Sequence, residues 1–101
     1  MIKHVVMWTF KDEAEGATKQ ENILQFKTML NSLVGVVPGI ELFEIGQKGE
    51  LSPADNYDMI LLSEFKTWDA LKAYAVHPEH QKVVAFAKLT INGRAVVDYE
   101  F

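Results

Sequence analysis

The chain is predicted to be an α+β domain of ferredoxin-like βαββαβ type, an antiparallel sheet with its helices on one face. Three observations predict it. The apolar pattern changes period in the order strand, helix, strand, strand, helix, strand, which is the split βαβ arrangement. Two strand-like segments, residues 2–10 and 57–65, are apolar at both alternating sets of positions, as central strands covered on both sides are. The 101 residues supply material for one core, so residues 1–101 are read as a single domain. Right-handed crossovers place both helical regions on one face and the first and third strands in the centre.

In the first strand, Ile2, His4, Val6, Trp8 and Phe10 share one face and Val5 and Met7 the other. A loop through Gly16 follows. Thr18 and Glu21 form a capping box, and Ile23, Phe26, Leu30 and Leu33 recur at helical spacing, which predicts a helix over about 18–34 ending at Gly35. Pro38-Gly39 marks the turn. Residues 40–47 mix apolar and charged positions, as a strand near an edge does, and 48–56 form a polar connection. After the strand at 57–65, Thr67 can cap a short helix carrying Trp68, Leu71 and Tyr74. Pro78 breaks it, lacking an amide proton, but suits the first turn of a new segment. On that segment His80, Val83, Val84 and Ala87 share one stripe. It fades near Leu89, and a last strand after Asn92-Gly93 carries Ala95, Val97, Tyr99 and Phe101 in alternation with Arg94, Asp98 and Glu100.

Two consequences bear on partners. The central strands are apolar on both faces, yet the helices cover only one, and soluble monomers rarely leave several hundred Å² of apolar surface open. A homodimer formed by two such sheets packing face to face is expected. Ten basic against fourteen acidic residues give a net charge of −4, which argues against nucleic acid, since a basic footprint supplies most of that affinity. The third strand, Tyr57-Asp58-Met59-Ile60-Leu61-Leu62, also lacks the basic-Gly-aromatic setting of an RNA-recognition sheet. There is no cysteine, no signal-like apolar segment at the start and no apolar run near the ~20 residues of a membrane span, so a cytoplasmic location without membrane contact is expected. No phosphate loop, dinucleotide fingerprint or serine-hydrolase elbow is visible.

Candidate chemistry concentrates in Tyr74-Ala75-Val76-His77-Pro78-Glu79-His80, with His4 set inside an otherwise apolar strand. An imidazole can take a proton near neutral pH, and a phenol can donate a hydrogen bond to a carbonyl oxygen as charge develops on it. His80 as base with Tyr74 as donor is a coherent pair for enolisation or aldol chemistry if both face one cavity. The alternative is structural: His80 bonded to a backbone carbonyl or to Tyr74, and His4 a satisfied core histidine. Filling of that space by Phe26, Val84 or Phe86 would favour the structural reading. His77, before the proline, reads as a cap or turn residue. His77 and His80 have no carboxylate at a ligating offset and the proline distorts their spacing, so no metal is expected. Trp8, Phe43, Trp68 and Phe86 read as core or dimer interface.

The opening Ile2-Lys3-His4-Val5-Val6-Met7-Trp8-Thr9-Phe10-Lys11, the run Tyr74-x-x-His77-Pro78-x-His80 and the closing Asp98-Tyr99 resemble the stress-responsive dimeric α/β-barrel (Dabb) family over essentially the whole chain. The resemblance implies a ferredoxin-like protomer in a dimeric α/β barrel, with a pocket between sheet and helices in each protomer. Most members have no established activity. A plant subgroup, the olivetolic acid cyclase type of polyketide cyclase, closes a linear polyketide by aldol condensation without cofactor or metal. Carried over residue by residue, its catalytic positions fall on Tyr74, His80 and His4. This chain lacks the bulky aromatic content of the plant enzymes' second helical segment, having Ala85, Phe86, Ala87 and Lys88 there. The expected function is therefore a stress-associated dimer holding a small apolar molecule in a pocket with Phe26 and Val84 among its binding residues. The alternatives are a cofactor-independent cyclase or other proton-transfer enzyme, and a barrel-type monooxygenase.

Overall fold

The computed structural model describes residues 1–101. The elements are β1 (Ile2–Phe10), β2 (Glu13–Ala14), β3 (Ala17–Thr18), α1 (Lys19–Asn31), β4 (Ile40–Gln47), β5 (Met59–Phe65), α2 (Trp68–Val76), α3 (Pro78–Thr90) and β6 (Ile91–Glu100). The main sheet has the order β4-β5-β1-β6 with antiparallel neighbours throughout, so the two strands apolar on both faces are the central ones. Three helices lie against one face, because Pro78 divides the second helical region into α2 and α3.

Alternation along β1 sorts the chain into two surfaces. Ile2, His4, Val6, Trp8 and Phe10 are buried toward the helices, and their β5 partners Phe65, Ser63, Leu61 and Met59 are buried with them. From α1, Phe26 meets Trp8 and Phe10 edge-on, at centroid distances of 4.9 and 5.7 Å, and stacks on Phe86 of α3. Full burial of a Phe side chain contributes about 1.5–3 kcal/mol, so this aromatic cluster is a large part of what fixes α1 and α3 on the sheet. On the opposite face Val5 lies across from Leu62 and Val97, and Met7 across from Ile60 and Ala95. Leu42, Val97, Tyr99 and Phe101 extend that apolar surface, each more than 40% exposed.

Several element boundaries differ from the sequence-based expectation. α1 stops at Asn31 rather than 34, since the Ser32 hydroxyl bonds the Met29 carbonyl at 2.6 Å, and turns carry Leu33 and Val37 into the core. The Gly16 loop is a two-residue hairpin between β2 and β3 with Glu15 and Gly16 both at positive φ, the backbone a type I′ turn requires. β5 begins at Met59, not 57: Tyr57 is exposed, and the buried Asp58 carboxylate accepts the Phe10 amide at 2.8 Å. Burial pushes that carboxyl up, but the Phe10 amide and the ammonium groups of Lys48 and Lys19, at 3.3 and 3.6 Å, outweigh it and hold it below its ordinary value. β6 starts at Ile91, one residue past the end of α3, with a bulge opposite Thr9 and Phe10. Gly93 lies against the Thr9 hydroxyl, which would have to move to admit a Cβ there. Trp68 is neither core nor sheet face: it is 40% exposed and its indole N–H donates to Glu100 at 2.8 Å.

Candidate functional site

The site begins with the interruption at Pro78. His77 is extended (φ −61°, ψ 136°), ending α2 and capping α3, and its Nδ1 accepts the Glu79 amide at 3.1 Å. In an unbroken helix that amide would bond the Ala75 carbonyl four residues back. Here the Ala75 carbonyl is left for side chains, and it accepts from Gln81 Nε2 at 2.7 Å and from His80 Nδ1 at 2.9 Å. A carbonyl only accepts, so His80 carries its proton on Nδ1 in the neutral form and its Nε2 lone pair is free of protein partners. Burial lowers the His80 pKa below the ordinary imidazole value; the Ala75 carbonyl acts the other way, and the charges of His4, Arg94 and His77 reinforce the lowering. The imidazole is thereby held in its basic form.

Tyr74, on the last turns of α2, is 1% exposed and contacts His80, Phe65, His4 and Phe43, with ring centroids 4.4, 5.1, 6.1 and 6.2 Å away. Its hydroxyl has no hydrogen-bond partner in the protein and is not sealed from solvent-sized space, so it faces the adjoining cavity. Burial holds the phenol protonated far above its ordinary range. His4 donates Nδ1–H to Asp98, its register partner on β6, through a short contact. That carboxylate fixes the ring's orientation and tautomer.

These groups surround one cavity of about 430 Å³ between the sheet and α3, at the small end of the range for small-molecule sites. His4, Tyr74 and His80 line it together with Phe26 and Val84. Phe86 is stacked on Phe26 and is absent from the lining. His77 is also outside it, committed to the cap. Twelve of the sixteen lining residues are hydrophobic, and the only fully charged ones are Lys88 and Arg94. No cluster of three or more His, Asp or Glu side chains has the geometry of a metal site.

A family model described as the stress responsive A/B barrel domain matches residues 2–101. The chain belongs to this family. Among Dabb relatives, olivetolic acid cyclase of Cannabis sativa is 30% identical over 80 residues, covering 78% of this chain and 75% of that protein. A dimeric protein of unknown function with a ferredoxin-like fold from Bacteroides fragilis is 32% identical, covers 99% of this chain and 95% of its own, and superposes with a TM-score of 0.85. Hydroxynitrile lyase from Passiflora edulis, 18% identical with a TM-score of 0.78 over 97% of this chain and 90% of its own, shares the fold. This fold thus occurs among proteins named for different chemistries.

Three contributors to the site are given no role in it by the residue pattern, although Asp98 belongs to the closing Asp98-Tyr99 that carries the family resemblance. Asp98 reaches His4 only through the β1–β6 register, which pairs residues 94 positions apart. The Ala75 carbonyl is a backbone group released by a neighbouring cap. Arg94 reads as a polar residue on the last strand, yet its face is the helix side, because it lies opposite Trp8. Asp98, opposite His4, and Glu100, opposite Ile2, share that face.

Proposed function

We propose that this Dabb protein is a homodimer whose protomers each hold a small, largely apolar carbonyl compound in the cavity, and that the site moves a proton on it. His80 Nε2 removes a hydrogen from the carbon beside the carbonyl. The C–H electron pair forms the new C=C bond while the carbonyl π pair moves onto oxygen, and the Tyr74 hydroxyl donates a hydrogen bond to that oxygen. The enolate then attacks a second carbonyl, as in aldol ring closure, or regains a proton from His80. Each role needs only groups the chain itself supplies. His4, held by Asp98 and beside Tyr74, shapes the polar end of the cavity.

The observation that carries this reading is the pairing, within one apolar cavity, of an imidazole whose tautomer leaves Nε2 unprotonated with a partnerless phenol 4.4 Å away, centroid to centroid. The test is hydrogen–deuterium exchange beside the carbonyl of a medium-chain methyl ketone in heavy water, followed by NMR. Exchange faster than in buffer, lost in His80→Ala while a ketone-soaked crystal still shows the compound bound, is the expected result. Bound ketone without accelerated exchange would leave a binding protein with structural histidines. The dimer is supported by the apolar outer sheet face and by structural relatives described as dimeric. Sedimentation of the wild type as a single protomer at micromolar concentration would remove it.

A further inference from the structure

Lys88 and Arg94 are unusual among the charged residues of this chain. The protein carries four more acidic than basic side chains, yet no carboxylate lines the cavity while these two cations do. They come from different elements, Lys88 from the last turn of α3 and Arg94 from β6, on either side of Ile91, where helix passes directly into strand, and both are exposed and line the one cavity. Neither is in an ion pair, which is also true of Lys11, Lys27 and Lys72, but none of those three lines the cavity. A lysine in a helix's last turn is favourable for the helix dipole in any case, so Lys88 alone would mean little. Arg94 has no such account. It sits on the inner face of the sheet, opposite Trp8, where the neighbouring lining is apolar.

We infer that Lys88 and Arg94 form an anion-recognising mouth, and that the cavity takes an amphipathic carboxylate, its apolar body among Phe26, Leu30, Leu61 and Val83 and its carboxylate at the opening. This rests on the cavity being a ligand site and adds the class of ligand to it. The rest of the lining is consistent with that polarity. The cavity's interior is hydrophobic, so an anionic group is accommodated only where cations and water meet, which is the position of the two exposed side chains. A planar guanidinium matches a carboxylate in a two-pronged contact, and an ammonium beside it adds charge without demanding a second anion. A substrate carrying both a carbonyl and a terminal carboxylate would be oriented by this mouth, its carbonyl directed inward toward Tyr74 and His80.

The test compares octanoate, octanol and octyl phosphate by titration calorimetry near neutral pH, with wild type, Arg94→Gln/Lys88→Gln and Arg94→Lys. Wild type should bind octanoate about tenfold more tightly than octanol, the size of a charge-assisted contact at an exposed site, and added salt should shrink the difference. The double variant should bring the two ligands to within about twofold by weakening octanoate alone, while Arg94→Lys keeps most of the preference. Equal binding of octanoate and octanol to wild type overturns the anion mouth and leaves the cavity reading standing. Octyl phosphate binding more tightly than octanoate overturns the carboxylate assignment. Binding of none of the three overturns both readings together.

Discussion

Replacing Tyr74 separates the chemistry of its hydroxyl from the packing of its ring. The ring is 1% exposed and wedged among His4, Phe43, Phe65 and His80, so Tyr74→Ala opens a void in the core, which for aromatic truncation costs about 3–5 kcal/mol. At about 4–8 °C per kcal/mol for a domain near this size, the melting temperature should fall by at least about 12 °C. Tyr74→Phe keeps the ring. Because the hydroxyl bonds no protein group, its removal orphans nothing, and the stability change should stay within about 1 kcal/mol. The proton-transfer step should behave in the opposite way: without the donor facing the developing oxyanion, ketone deuterium exchange should slow by about 10²–10³-fold. Urea unfolding is measured at one fixed protomer concentration, since self-association shifts apparent stability, alongside the exchange rate. A Tyr74→Phe protein that loses more than about 2 kcal/mol, or one that exchanges ketone hydrogens at the wild-type rate, would refute the assignment of the hydroxyl to the cavity.

The lowered His80 pKa makes two linked statements about pH. In the unfolded chain His80 takes up a proton near about 6.5 and in the folded protein only below that, so within this window the unfolded state binds more protons and stability falls as pH falls. Urea midpoints should show this slope in wild type and a shallower one in His80→Gln, and the acid limb of the exchange-rate profile should lie below the ordinary imidazole value. Asp98→Ala leaves the buried His4 donor without its carboxylate and should cost about 1–3 kcal/mol by urea denaturation; an unchanged midpoint would mean that the contact carries no stability. Val5→Glu with Leu62→Glu, neighbours at the centre of the outer face, should convert a sedimenting dimer to protomers. The cavity lies between the sheet and the helices, on the side of the sheet away from that face, so those protomers, where folded by circular dichroism, should bind octanoate as before.

The fold was legible because it depends on patterns a sequence states outright. Burial of Ile2, His4, Val6, Trp8 and Phe10 follows a period of two, the Thr18–Glu21 capping box is present in both directions at 3.2 and 3.0 Å, and the proline break falls at Pro78. Boundaries were missed where a side chain took over a backbone group's role, as at Ser32 and Asp58. The candidate residues His4, Tyr74, His80, Phe26 and Val84 could be named from residue type, helical spacing and family resemblance, and they do meet at one cavity. Their partners could not. Asp98 and Arg94 depend on strand register across the length of the chain, and a one-residue slip would have sent both to the outer face.

The proline is where sequence, local structure and proposed chemistry are joined most tightly. A continuous helix from Trp68 to Thr90 would consume the Ala75 carbonyl in its own ladder and leave nothing local to choose between the two neutral tautomers of His80. Pro78 removes the amide that Tyr74's carbonyl would have received in such a helix; the His77 amide bonds that carbonyl instead, at 3.2 Å. The His77 ring then takes the Glu79 amide, and the carbonyl so released takes the His80 proton. The same break starts α3 at Pro78, and its Val83, Val84 and Ala87 line the cavity with His80. In this protein the His-Pro-x-His spacing therefore works by assigning unlike tasks to its two imidazoles: the first satisfies the backbone, and in doing so it sets the protonation pattern of the second.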